Sequence, residues 1–306
     1  FRYVSHQVID GGVNLPGLPN PHGASQTLLI TLEDKVAGIQ YDLYYSVFEA
    51  SNVILRATTI RNISSKDIKV KKAMSMQLDM LNQSFDIKTT YGGWMSENHQ
   101  NRQRITPGIY INDSKTGHSS NRHNPYVLLL ENKTTLTNGS AYGFNLIYSG
   151  NHYTMVELST YDKVHIHMGI NPLMFEFILK ENSFFASPWA VLTYSNQGEN
   201  GVSQNFHHFV NHHVIRGPWA HKSRPILLNN WEATYFDFDE WKLLRLLKEA
   251  KALGIELFVL DDGWFGRRKD DKRGLGDYDV NRKKLPHGLH GLAKKVEQAG
   301  LKFGLW

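Results

Sequence analysis

The stretch IELFVLDDGWFG, residues 255–266, decides the fold of the second part of the chain. Its first half, IELFVL (255–260), lacks the regular alternation of polar and apolar residues that a strand with one solvated face shows. Such a strand is buried on both faces, which is typical of a parallel sheet. The strand is followed at once by Asp261 and Asp262. Carboxylates at the end of a buried strand must be hydrated, paired or bound to a ligand.

Strand and helix patterns alternate on both sides of this stretch. ILLNNW (226–231) predicts a strand, and DFDEWKLLRLLKEAKALG (237–254) predicts a helix that connects it to IELFVL. A second helix over residues 288–299 and a third strand, LKFGLW (301–306), follow. This β-α-β-α-β order predicts a parallel sheet, and residues 225–306 are interpreted as the first part of a (β/α)8 TIM barrel, which takes ~250 residues when complete.

The ends of the first helix carry recognisable signals. Asp237 is the predicted N-cap, and Glu240 stands three residues later, as in a capping box. Gly254 stands where the C′ glycine of a helix belongs. The sequence therefore predicts a helix that begins directly after Asp237.

Residues 1–200 have a different sequence pattern. Short runs rich in β-branched and aromatic residues, such as YDLYYSVF (41–48), VILRATTI (53–60) and YVLLL (126–130), alternate with loops rich in Gly, Pro, Asn and Ser. Many strands without helices predict an N-terminal antiparallel β-sandwich over 1–200. Residues 202–214 form the first helical pattern, within a predicted helical linker over 201–224.

Composition narrows the function classes. The net charge of +5 is spread along the chain, which argues against a nucleic-acid-binding protein, since clustered Lys and Arg are the usual footprint of one. No apolar run approaches the ~18 residues that span a bilayer. The chain has no cysteine and opens on FRYVSHQVID, without the basic and apolar regions of a secretory signal. These features favour a cytoplasmic protein that binds neither nucleic acid nor membrane.

Polar and aromatic residues follow each predicted parallel strand. Trp231 ends the first strand, Asp261 and Asp262 follow the second, and Trp306 ends the third. The carboxyl ends of barrel strands form the functional face of this fold, so acids and indoles there suggest a ring-shaped ligand with many hydroxyl groups. A structural alternative stays open, in which Asp262 caps a turn and Asp261 pairs with a Lys or Arg.

Two chemical roles are less favoured. The two carboxyl groups of a glycosidase must flank one bond at ~5–9.5 Å, whereas successive strand residues point to opposite sides. Asp261 and Asp262 are therefore interpreted as binding residues and not as the catalytic pair. His208 and His212 have a spacing that can hold a metal, but no third ligand is evident nearby, and no metal site is predicted.

The chain resembles the bacterial α-galactosidases of glycoside hydrolase family 36. The motifs that carry the resemblance span the whole chain: GHSSNRHNP (117–125), SPWAVLTYSNQG (187–198), NNWEATYFDF (229–238), GIELFVLDDGWFG (254–266), LGDYDVNRKKLPHGL (275–289) and GLKFGLW (300–306). Where the family usually has Trp, this chain has Tyr278, and where the family has a Pro-Glu pair it has Pro188 followed by Trp189. The departure at Trp189, in the predicted sandwich, is expected to bear on subunit contacts more than on galactose binding.

The resemblance implies a β-sandwich followed by a catalytic barrel, usually in a homotetramer, that hydrolyses terminal α-galactosyl groups of melibiose, raffinose and stachyose with retention and without cofactor or metal. Asp261 and Asp262 would hydrogen-bond galactose hydroxyls in the −1 subsite, and Trp231 and Trp306 would wall that pocket. The family's nucleophile lies in a KWD-type motif, which this sequence lacks, so both catalytic residues are expected downstream. The alternative is a non-catalytic remnant or a β-sandwich binding module.

Overall fold

The computed structural model describes residues 1–306, and its internal contacts divide the chain into two units, Phe1–Ala220 and His221–Trp306. The finer division into a sandwich over 1–200, a linker over 201–224 and a barrel part over 225–306 stays a prediction. None of the helices combines the length and the apolar character that crossing a bilayer requires.

The first unit is built from short strands, as the alternating pattern predicts. Its strands are Arg2–Asp10 (β1), Gln26–Asp34 (β2), Ile39–Phe48 (β3), Val53–Asn62 (β4), Ile68–Val70 (β5), Met74–Leu81 (β6), Asp86–Gly93 (β7), Ser96–Arg104 (β8), Gly108–Asp113 (β9), His123–Leu130 (β10), Ala141–Ile147 (β11), His152–Leu158 (β12), Lys163–Ile170 (β13), Phe177–Leu179 (β14), Phe184–Ala186 (β15) and Trp189–Ser195 (β16).

Two antiparallel sheets pack face to face in this unit. The large sheet has the order β1-β2-β3-β4-β16-β11-β10-β7-β8, with β15 also paired to β4, and the small sheet has the order β6-β13-β12-β9. Inward side chains from both sheets, including Ile87 and Phe144 from the large one and Val156 and Ile166 from the small one, form one buried core. The predicted β-sandwich is confirmed.

A helix covers part of the other face of the large sheet. It spans Gly198–Phe209 (α1), four residues earlier than the predicted start at 202, and continues as one π-helical turn, Val210–Val214. Gly143 on β11 allows the close approach, because a Cβ atom there would lie 2.5 Å from Val202 Cγ1 and 2.6 Å from Phe206 Cε2. The large sheet is therefore sandwiched locally between the small sheet and α1.

Trp189, one of the two departures from the family pattern, lies inside this unit. It is only 1% exposed, and its indole nitrogen donates to Asn20 Oδ1 at 3.1 Å. Its ring meets that of Tyr44 edge to face. The side chain thus takes part in the core of the first unit.

The second unit has the predicted β-α-β-α-β order. Leu227–Asn229 (β17), Leu257–Leu260 (β18) and Lys302–Leu305 (β19) form a parallel sheet in that order, with helices Trp231–Thr234 (α2), Glu240–Ala252 (α3) and Gly288–Gln298 (α4) between them. Phe258 and Leu260 of β18 are fully buried against Leu243 of α3 and Leu292 of α4. The predicted beginning of a barrel is confirmed.

The N-cap residue of α3 differs from the predicted one. The N-cap is Asp239, whose carboxylate accepts from the backbone N–H of Lys242, and not the predicted Asp237. Asp237 instead accepts a hydrogen bond from Lys242 Nζ at 2.6 Å. At the other end Gly254 has φ +82°, the left-handed conformation expected of a C′ glycine.

Candidate functional site at the carboxyl ends of the parallel strands

The carboxyl ends of the parallel strands carry all four residues predicted to bind substrate. Trp231 lies two residues after β17, Asp261 and Asp262 directly follow β18, and Trp306 directly follows β19. Adjacent parallel strands end at the same edge of a sheet, so these residues share one face of the second unit.

A buried asparagine ties two of the strand ends together. The side chain of Asn230 is fully buried, and its Oδ1 accepts the backbone N–H of Asp261 at 2.7 Å. Its Nδ2 donates to the hydroxyl of Thr234 at 2.8 Å. The oxygen and the nitrogen of this amide are thus both hydrogen-bonded, and the bond to Asp261 fixes the backbone at the end of β18.

The carboxylate of Asp261 is oriented by its neighbours. Asn229 Nδ2 donates to its Oδ2, and the backbone N–H of Asp262 donates to its Oδ1 at 2.7 Å. Asn229 is itself held, since its Oδ1 accepts the backbone N–H of Trp231 at 2.7 Å. A half-buried carboxylate held in this way presents fixed acceptor positions to a hydroxyl ligand.

Asp262 is buried and paired with Arg268. The Arg268 Nε lies 2.8 Å from Oδ1 and 3.0 Å from Oδ2, and Nη2 lies 2.6 Å from Oδ2. The hydrogen bond to Asp262 is the main cause that raises the pKa of Arg268. The alternative in which Asp261 pairs with a Lys or Arg is therefore wrong, because the arginine pairs with Asp262.

A half-buried lysine, Lys284, supports the same loop. Lys284 Nζ donates to the carbonyls of Phe236 at 2.8 Å and Gly263 at 2.9 Å and lies 4.3 Å from the centre of the Phe238 ring. Burial lowers its pKa, although the charges of Asp237 and Asp262 act in the opposite direction. Its donated hydrogen bonds fix the backbone that follows Asp262.

Aromatic rings surround the strand ends. Trp231 packs edge to face on Phe236 at a centroid distance of 4.9 Å. Trp306 is 49% exposed and lies parallel to Phe265, at 6.2 Å and 6°. The buried Trp264 donates its indole N–H to the carbonyl of Trp306 at 3.0 Å. The indoles of Trp231 and Trp306, which follow the two outer strands β17 and β19, are therefore both partly exposed.

Tyr278, the second departure from the family pattern, also packs here. It stacks on Trp264 at 6.2 Å and meets Phe265 at 4.9 Å, while 58% of it stays exposed. A Tyr in place of Trp therefore changes the outer layer of this aromatic group.

Sequence reasoning missed three residues of the site, Asn229, Arg268 and Lys284. Asn229 and Lys284 lie inside motifs that carried the family resemblance, but nothing in the pattern gave either a partner. Arg268 lies in the mixed-charge stretch RRKDDKR (267–273), which is typical of a solvated surface. An indirect signal for it existed, because a buried carboxylate at Asp262 requires a nearby cation.

No group of three or more His, Asp or Glu side chains in residues 1–306 is arranged to hold a metal ion. His208 and His212 stack on each other at a centroid distance of 4.1 Å, and His208 Nδ1 lies 2.7 Å from the hydroxyl of Ser51.

Comparison with known proteins covers the whole chain. Residues 1–180 match the glycosyl hydrolase family 36 N-terminal domain, and residues 184–306 match the melibiase family. The chain is 42% identical to the α-galactosidase Mel36A of Lactobacillus acidophilus over 100% of its own length but only 42% of that protein. It therefore spans less than half the length of this relative.

Two solved structures show the same fold. The α-galactosidase from Lactobacillus brevis matches with a TM-score of 0.96 and 40% identity, covering 99% of this chain and 42% of that one. A variant of the α-galactosidase AgaA from Geobacillus stearothermophilus, in complex with raffinose, matches with a TM-score of 0.96 and 40% identity, covering 100% of this chain and 43% of that one.

Proposed function

Because the chain belongs to glycosyl hydrolase family 36, we propose that it forms part of a retaining α-galactosidase acting on terminal α-D-galactosyl residues. The observation that carries the proposal is the carboxylate of Asp261, held by Asn229 and by the backbone N–H of Asp262 at the carboxyl end of β18. Fixed acceptors at this edge of a barrel sheet suit the hydroxyl groups of a sugar.

The four predicted residues take different parts in this site. Asp261 binds galactose hydroxyls directly, and Trp231 and Trp306 wall the −1 subsite. Asp262 has less capacity for a ligand, since three contacts from Arg268 already occupy most of its acceptor positions. It therefore contributes to the subsite with its one remaining acceptor position and by fixing the loop next to Asp261.

The catalytic carboxyl groups lie elsewhere in this proposal. A retaining glycosidase needs a nucleophile and an acid/base ~5–5.5 Å apart across the scissile bond. Asp262 is paired with Arg268, and its backbone N–H donates to the carboxylate of Asp261, so the two acids do not face each other across a scissile bond. We assign both catalytic groups to sequence that the relatives have and this chain does not span.

The substrate class follows from the relatives. A structure of the related AgaA holds raffinose, so we assign melibiose- and raffinose-type galactosides to this protein as well. We infer a homotetramer from the family resemblance and a cytoplasmic location from the cysteine-free sequence, and gel filtration and cell fractionation would test them.

The test compares two variants of the protein extended to the length of its relatives. Asp261→Asn should lower kcat/KM for nitrophenyl α-galactoside roughly 10- to 100-fold, because a charged hydrogen bond made in the transition state is weakened. Asp67→Asn, an exposed acid of the first unit paired with Lys180, should leave kcat/KM unchanged. Equal kcat/KM for both variants would overturn the assignment of Asp261.

The location of the catalytic groups has its own test. The 306-residue chain alone should release no nitrophenol from nitrophenyl α-galactoside above the rate of buffer. Release that disappears in Asp261→Asn or Asp262→Asn would mean that the catalytic groups lie within the chain.

A further inference from the structure

A polar cleft opens on the large sheet of the first unit beside α1. Its volume is about 480 Å³, within the range of small-molecule sites, and all its lining residues belong to Phe1–Ala220. Tyr126 of β10 and Phe206 of α1 form an aromatic floor, with their rings edge to face at a centroid distance of 5.7 Å.

The charges at this cleft are already paired. Lys88 forms an ion pair with Glu199, which is 7% exposed. Arg102 lies 3.5 Å from Glu199 and 2.8 Å from Asp86. Because these charges neutralise one another, the cleft favours a neutral ligand over an anion or a cation.

Amide side chains give the cleft its hydrogen-bonding capacity. Five of them line it: Asn98, Gln100, Asn124, Asn145 and Asn200. Only Asn124 has a side-chain partner within the chain, the hydroxyl of Thr90 at 3.0 Å. Each amide group both donates and accepts, as a sugar hydroxyl does, so the unpaired ones match a ligand with many hydroxyl groups.

We infer that this cleft binds a neutral oligosaccharide, with a sugar ring over Tyr126 and Phe206 and hydroxyls bonded to the amides of Asn145 and Gln100. The choice of α-galactosides as its ligands rests on the proposed function. The sandwich is thereby a sugar-binding part of the protein and more than a support for the barrel.

The strand β8 offers a matched pair of variants. Gln100 lies opposite Thr90, which lines the cleft, whereas Gln103 lies opposite Ile87, which faces the core between the sheets. The two glutamines are both exposed but point to opposite faces of the same strand. Neither makes a side-chain hydrogen bond within the chain.

The test measures raffinose binding to the 306-residue chain by isothermal titration calorimetry. Asn145→Ala and Gln100→Ala should each weaken the association constant roughly three- to tenfold, as expected for one lost hydrogen bond, and Gln103→Ala should leave it unchanged. Equal affinity of all three variants and the parent chain, or no binding of raffinose at all, would overturn the inference.

A further variant separates this inference from the proposed function. Asp261→Asn should not change the affinity of the cleft. If raffinose binding is lost in Asp261→Asn but kept in Asn145→Ala and Gln100→Ala, the sugar occupies the strand ends, so the cleft assignment is wrong while the proposed function stands.

Discussion

Arg268 contacts both carboxylate oxygens of Asp262 through two of its nitrogens, and the two side chains are only 7% and 9% exposed. Arg268 Nη1 also donates to the carbonyl of Arg273 at 2.9 Å. Arg268 therefore links the start of the loop after β18, at Asp262, to a later point of the same loop, at Arg273. Removing one member leaves a buried charge without a partner, which is more damaging than the pair is stabilising.

Arg268→Ala should lower the free energy of unfolding by about 3–5 kcal/mol. Arg268→Lys should recover only part of this, because an ammonium group cannot contact both oxygens in a planar fork. Urea unfolding followed by circular dichroism measures both. The control is Arg273→Ala, whose ion pair with Asp270 is exposed and should contribute less than about 1 kcal/mol. Similar losses for Arg268→Ala and Arg273→Ala would contradict the importance of the buried pair.

Asn229→Ala removes the amide that orients Asp261 and the acceptor of the Trp231 N–H. In the protein extended to the length of its relatives we expect kcat/KM for nitrophenyl α-galactoside to fall roughly tenfold, about the contribution of one hydrogen bond. Asn132→Ala, an exposed asparagine of the first unit bonded to Arg104, is the control. An unchanged kcat/KM in Asn229→Ala would show that Asp261 does not depend on this support.

Gly143→Ala should lower the free energy of unfolding by about 1–3 kcal/mol, since the new methyl group would overlap Val202 and Phe206 and push α1 off the sheet. Gly93 on β7 is the matched control, because a Cβ atom there meets nothing within 4 Å and its φ is not in the left-handed region. Gly93→Ala should therefore be nearly neutral in the same urea titration. Equal effects of the two substitutions would mean that the contact at Gly143 relaxes freely.

The lowered pKa of Glu240 makes the free energy of unfolding depend on pH. Burial acts to raise its pKa, but hydrogen bonds from Lys295 and His287 outweigh this, and the net pKa lies below the ordinary 4.5. Because the folded-state pKa is the lower one, the stabilisation is fully present above pH 4.5 and is lost as the pH falls through the folded-state pKa.

Glu240→Gln should accordingly lower the free energy of unfolding by about 1–3 kcal/mol at pH 7, and this difference should shrink as the pH falls below 4.5. The exposed Glu249 on the same helix has no ion pair, so Glu249→Gln serves as the control at each pH. A difference between Glu240→Gln and the parent chain that persists unchanged in acid would exclude the charge of Glu240 as its source.

The strand and helix order could be predicted because it depends on local pattern. The apolar run IELFVL (255–260) contains the strand Leu257–Leu260, in which Phe258 and Leu260 are buried and Leu257 and Val259 are half-buried. Gly254 ends a helix by its own backbone freedom. The capping residue does not follow from local pattern. Asp237 and Asp239 are both good capping residues, and only the chain path in the structure decides that Asp239 accepts the first N–H group.

The partners at the site could not be predicted for a different reason. Arg268 and Lys284 reach Asp262 and Gly263 through a loop whose course is set by tertiary packing. No periodicity links them to the strand end. The pattern could place Asp261 and Asp262 at the functional face, but it could not distinguish the acid that presents free acceptor positions from the acid that is neutralised.

The tryptophans differ widely in exposure, so their intrinsic fluorescence can report on their surroundings. Indole emission moves to longer wavelength as water gains access, so Trp189, 1% exposed, should emit at the short-wavelength end of the tryptophan range and Trp94, 86% exposed, at the long-wavelength end. Trp306 lies between these limits at 49% exposure, directly after β19. A sugar that covers its open face would change its emission, and a Trp306→Phe chain would identify that signal without an attached dye.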